Sequence, residues 1–88
     1  MKETSFTIIN NLGIHARPAA EIAKLASQFE SSVTLFGNGK KANAKSLLMI
    51  MSLGIQTGQD LTVATEGVDE EQAMEAISIL INNNFYED

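Results

Sequence analysis

"SSVTLFGNGKKANA", residues 31–44, decides how this chain folds. Val33 and Leu35 alternate with Thr34 and Phe36, the period-two pattern of a strand with one buried face. Gly37, Asn38 and Gly39 come next, and these supply the positive φ angles that a tight hairpin needs. Residues 40–44 then read as the returning strand. An antiparallel hairpin therefore sits mid-chain, and the rest must be arranged around it.

Upstream, residues 18–29 change period. Ala19, Ile22, Ala23, Ala26 and Phe29 recur at helical spacing with Leu25 beside them, while Glu21, Lys24 and Gln28 fall elsewhere on the wheel. Before that, "TSFTIIN", residues 4–10, has strand chemistry, with Phe6 and Ile8 on one face. Downstream, "SLLMIMSLG", residues 46–54, is bracketed by an N-cap serine, Ser46, and a C′ glycine, Gly54, which predicts a helix of about two turns. About three of its five central apolar residues are expected to be buried. "DLTVATEG", residues 60–67, alternates again, with Leu61 and Val63 inward. "DEEQAMEAISILINN", residues 69–83, predicts a last helix with Ala73, Ala76, Ile77 and Leu80 as its stripe. Asp69 with Gln72 forms a near capping box there, and Glu70 and Glu71 suit the positive helix end. After Asn82 the chain reads as a polar tail. The order β-α-β-β-α-β-α defines an α+β protein whose helices cover one face of a single sheet. The pattern leaves strand order open.

Composition narrows function. Eighty-eight residues make one domain, 1–88, with little room for a deep cavity. No cysteine is present, so disulfides and thiolate metal sites are excluded, and a single histidine argues against structural zinc. A net charge of -5 argues against nucleic acid as a partner. The N-terminus lacks the apolar run of a signal peptide, and no segment approaches the ~20 residues of a membrane span. The expected compartment is the cytoplasm.

The chemistry concentrates in "GIHARPAA", residues 13–20, which holds the only histidine, arginine and proline of the chain. A lone histidine is ordinarily a polar surface or capping residue. Here Pro18 marks a helix start, and Arg17, preceding a proline, falls at the boundary. The helix begins between Ala16 and Pro18, which leaves His15 at or just before its N-terminus. Unpaired amides and the helix dipole bind anions there, and the dipole's ~0.3–1 kcal/mol favours an uncharged, nucleophilic imidazole. Arg17 adds a guanidinium fork that matches phosphate oxygens. No nucleotide loop or paired acids for a metal accompany them, so neither cofactor nor metal is expected, and the pattern suits a group carrier better than an enzyme.

"GIHARPAA" resembles the active-site signature of the HPr family, the histidine-containing phosphocarriers of the bacterial phosphotransferase system. "KSLLMIMSLG", residues 45–54, resembles its second signature, and "EGVDEEQA" resembles its approach to the last helix. The resemblance covers nearly the whole chain. It implies an open-faced sandwich, a four-stranded antiparallel sheet covered on one face by three helices. It implies that His15 accepts phosphate from phospho-Enzyme I and passes it to the A-component of Enzyme II. Arg17 would stabilise the phosphoryl group, Ala16 would offer its backbone at the helix start, and Pro18 would hold that start in place. In Gram-positive members the serine matching Ser46 is phosphorylated by a dedicated kinase, and the product can act with a transcriptional regulator. Such a phosphate adds about -1.5 to -2 of charge. Leu47, Leu48 and Met51 would form an apolar partner patch. Gram-positive members usually carry Met and Gly where this chain has Leu48 and Met49. The ending "INNNFYED" resembles the nitrogen-branch relative. A regulatory or nitrogen-branch role through partner binding therefore stands as the alternative. The expected state is a monomer that engages no membrane.

Overall fold

The computed structural model describes residues 1–87. Its elements run β1 (Lys2–Thr7), α1 (Ala16–Ala26), β2 (Ser32–Gly37), β3 (Lys40–Asn43), α2 (Leu47–Ser52), β4 (Asp60–Glu66) and α3 (Glu70–Asn82). The β2–β3 turn places Asn38 and Gly39 at φ of 51° and 76°, whereas Gly37, expected to share the turn, closes strand β2 without a positive φ; the hairpin forms where the sequence places it. The sheet order is β1-β4-β2-β3, antiparallel throughout. This supplies what periodicity left open. The two central strands carry the core residues Val33, Leu35, Leu61 and Val63. The helices lie over that face, with Ala19, Ile22, Ile50 and Ile77 buried against it. The open-faced α+β sandwich of four strands and three helices is the observed fold.

Several local expectations change. The first strand is shifted toward the N-terminus and ends at Thr7, and Ile8 is buried from the loop that follows. The first helix runs Ala16–Ala26, so it begins at the earliest of the starts expected, with Arg17 inside its first turn, and ends three residues short of Phe29. Asp69 is the N-cap of α3 but makes no side-chain cap bond there. Its carboxylate is drawn to the α1–β2 loop, where it accepts from the backbone amides of Glu30 (3.0 Å) and Ser31 (2.9 Å) and from the Ser31 hydroxyl. These donors hold the Asp69 carboxyl below its usual range, the Ser31 hydroxyl most of all. The near capping box with Gln72 is therefore not formed. Only Ile50 of the five central apolar residues of α2 is buried, and Leu47, Leu48, Met49 and Met51 are exposed. Two turns of helix lying on a sheet bring one residue fully into the core.

The tail departs most. Asn84, Phe85 and Tyr86 form a single turn with φ of 52°, 57° and 57°, all left-handed and none of them glycine. Each such residue costs about 1–2 kcal/mol. Phe85 is buried in the core at 4% exposure, so the tail is docked to the fold. Among the described residues, no helix is long and apolar enough to cross a membrane.

Candidate functional site

The loop between β1 and α1 is pinned before it reaches His15. Ile14 N–H donates to the Ile55 carbonyl at 2.9 Å, and Gly58 N–H donates to Ile8 O at 2.7 Å. The Thr57 hydroxyl reaches the carbonyls of Asn10 and Asn11, at 2.9 Å to the latter. Gly13 is required twice over. Its φ is 65°, and a Cβ would lie 2.7 Å from Gln56 Cα and closer still to the Ile55 carbonyl. The loop thus presses backbone to backbone on residues 55–56, and this fixes where the next residues emerge.

His15 emerges as the N-cap of α1, with extended backbone and no side-chain cap bond. The reason lies three residues on. An N-cap side chain bonds the amide of the second or third helical residue, and here the third is Pro18, which has no N–H. The first intrahelical bond runs from Ala19 N–H to His15 O at 3.0 Å. Ala16 and Arg17 therefore supply the amides at this helix start. Pro18 itself is buried, whereas Ala16 and Arg17 are exposed. Arg17 makes no ion pair among the described residues. His15 and Arg17 line one cleft of about 620 Å³, together with Asn10 and Glu87 and the exposed apolar side chains Ile9 and Leu12. Of the four motif residues singled out from sequence, His15 and Arg17 share this cleft, whereas Ala16 and Pro18 are not among the residues that line it.

The site has two further members that sequence reasoning missed. Glu87 Oε2 lies 2.9 Å from His15 Nε2, and Glu87 Oε1 accepts from Asn10 Nδ2 at 3.0 Å. A carboxylate only accepts, so Nε2 is the donor in this contact, and in the neutral tautomer that matches it the lone pair is at Nδ1. A hydrogen bond to a charged partner contributes about 1.5–3 kcal/mol. The helix amides and Arg17, groups chemically suited to an anion, thus accompany an imidazole with one nitrogen tied by Glu87.

Ser46 stands apart, as the N-cap of α2. Its Oγ accepts from Met49 N–H at 3.3 Å. Leu47, Leu48 and Met51 form one exposed apolar surface on that helix, which packs against α1. No cluster of three or more metal-binding side chains occurs among the described residues.

Fold and cleft together define a class: a small open-faced α+β protein that displays one imidazole at a helix start, beside a guanidinium and unpaired amides. The family described as "PTS HPr component phosphorylation site" matches residues 2–83. The phosphocarrier protein HPr of Cupriavidus necator is 42% identical over 87 residues, covering 99% of this chain and 98% of that one. Among solved structures, HPr-C-His from Thermoanaerobacter tengcongensis superposes with a TM-score of 0.94 at 44% identity, covering 100% of this chain and 99% of that one. HPr from Bacillus anthracis gives 0.84 at 38% identity, covering 91% and 95% respectively. The chain belongs to the HPr family, the phosphocarriers of the phosphotransferase system, which carry a group and do not themselves catalyse turnover.

Proposed function

We propose that His15 accepts a phosphoryl group on Nδ1 from phospho-Enzyme I and passes it to the A-component of Enzyme II for sugar uptake, in the cytoplasm. The observation that carries this reading is the tied Nε2, which leaves Nδ1 as the nucleophile in a cleft shared with Arg17. The Nδ1 lone pair attacks phosphorus while the donor's bond to phosphorus breaks, its electron pair staying with the donor. The Arg17 guanidinium and the Ala16 and Arg17 amides receive the phosphoryl oxygens. Such charge-assisted bonds are roughly twice as strong as neutral ones. Pro18 contributes by leaving His15 uncapped.

Leu47, Leu48 and Met51 serve as the apolar part of the docking face for both partners. Ser46 is the regulatory position. A phosphate there would sit at the start of α2, where it is electrostatically tolerated, and would place an anion on the docking face. A serine kinase and a transcriptional regulator of carbon catabolite control are the partners this would imply. Incubation with phosphoenolpyruvate and Enzyme I tests the central reading. The expected product carries one acid-labile, base-stable phosphate, absent from His15→Ala. No incorporation at any Enzyme I concentration would refute it.

A further inference from the structure

We propose that Glu87, anchored by Asn10, is a positioning residue that keeps a proton on His15 Nε2 throughout the transfer cycle, so that the phosphoryl group stays easy to release. The inference rests on the reading of His15 as phosphoacceptor.

The contact is bridged and shielded. One carboxylate spans His15 Nε2 (2.9 Å) and Asn10 Nδ2 (3.0 Å), and the Glu87 side chain is only 14% exposed. Asn10 is itself buried, at 7% exposure. Its amide nitrogen faces two groups that can only accept, Glu87 and the Gly13 carbonyl at 2.7 Å. This fixes the amide's orientation and leaves its buried Oδ1 without a donor among the described residues. Buried acceptors without partners are rare. The backbone that delivers Glu87 passes through the left-handed residues Asn84, Phe85 and Tyr86. Burial of Phe85 accounts for docking the tail. It does not account for the carboxylate pointing at the imidazole, nor for the Asn10 amide that holds it through Nδ2 while leaving its own Oδ1 unsatisfied. Strain and an unpaired buried group gathered around one contact are the pattern of a functional constraint.

The chemistry follows from where the proton is held. When Nδ1 bonds phosphorus and Nε2 keeps its hydrogen, the ring becomes cationic, and the Glu87 carboxylate lies against that N–H. On release the N–P bond breaks, the electron pair returns to Nδ1, and a neutral imidazole departs with Nε2–H intact. Without the carboxylate the Nε2 proton is held less firmly, and a phosphorylated ring that has lost it to water must expel an imidazolate, a much poorer leaving group. Glu87 acts through the ring and does not touch the phosphoryl group. Carboxylates behind metal-bound histidines orient and tune the ring in the same way.

The test compares full-length wild-type protein with Glu87→Gln and Glu87→Ala. In unphosphorylated, ¹⁵N-labelled protein, an exchange-protected Nε2–H resonance is expected in the wild type and in Glu87→Gln, whose amide oxygen also accepts, but not in Glu87→Ala. After phosphorylation by Enzyme I, the rates of release to water and to an A-component acceptor are measured. Both variants are expected to release about three- to tenfold more slowly, because glutamine keeps the shape and loses the charge. A purely structural role predicts wild-type release from Glu87→Gln, and that result overturns the proposal. Retention of the protected Nε2–H in Glu87→Ala also overturns it. Absence of any phosphate on wild-type His15 overturns the carrier reading and the release step with it. The Nε2–H resonance reports on the contact alone, so the two failures are told apart.

Discussion

Replacing Gly13 with alanine separates two costs that most glycine positions mix. Gly13 and Gly39 both have left-handed φ, 65° and 76°. A Cβ on Gly39 meets nothing within 4 Å, whereas one on Gly13 runs into the backbone of Ile55 and Gln56. Gly39→Ala should therefore cost only the left-handed penalty, about 1–2 kcal/mol. Gly13→Ala adds the displacement of a backbone that cannot move aside as a side-chain tip would, about 1–3 kcal/mol more by analogy with overpacking. In a domain of this size 1 kcal/mol shifts the melting temperature by roughly 4–8 °C. The expected losses are therefore about 4–16 °C for Gly39→Ala and about 8–40 °C for Gly13→Ala, with the second clearly larger. The assay is thermal and urea unfolding of both variants, with phosphorylation by Enzyme I measured on the folded fraction. Gly13→Ala should also slow phosphorylation, since the loop that presents His15 must shift, while Gly39→Ala should not. Equal stability losses in the two variants would refute the claim that close backbone contact sets the loop.

Three other predictions concern the surfaces around the site. Ile50→Ala should destabilise the fold by about 2–5 kcal/mol, whereas Leu48→Ala, at a position 79% exposed, should change stability by less than about 0.5 kcal/mol yet weaken transfer from Enzyme I; unfolding and transfer kinetics read the two effects separately. Ser46→Ala should cost about 1 kcal/mol by removing the N-cap acceptor, while Ser46→Asp should keep the cap and slow phosphorylation at His15, as urea midpoints and initial rates would show. The Asp69 carboxyl is held below its usual range in the folded state, so its contribution to stability is present above the unfolded carboxyl's pKa and is lost as pH falls through the lower folded value. Wild type should accordingly exceed Asp69→Asn in urea midpoint near neutrality, and the gap should close in acid.

The legible parts of the sequence were those with a period or a punctuating residue. The hairpin at Asn38–Gly39, the Ser46 and Gly54 brackets and the stripes of α1 and α3 each have a local cause, and each formed where that cause lies. His15 and Arg17 share a cleft because Pro18 and Gly13, both readable, set the helix start and the turn before it. The capping residue of α3 was legible as an acid, but not its partner. Ser31 lies 38 positions away, and no local pattern announces that a carboxylate will be drawn to it. The apolar run of α2 looked like core because sequence shows hydrophobicity and not how few residues a six-residue helix can turn inward, here Ile50 alone. The tail was least legible. Its left-handed turn is built from an asparagine and two aromatics instead of glycine, so no residue marked it, and the one signal was Phe85, a large apolar residue in a polar stretch. Asn10 and Glu87, 77 positions apart, are joined only by that turn.

The bond that forms at His15 tests the account most directly. The decisive measurement is ¹⁵N–³¹P coupling in protein labelled at its single histidine and phosphorylated by Enzyme I. A one-bond coupling to Nδ1, with Nε2 still bearing hydrogen, is the predicted result. Coupling to Nε2 would require the carboxylate of Glu87 to be displaced from the nitrogen it holds, and would contradict the account.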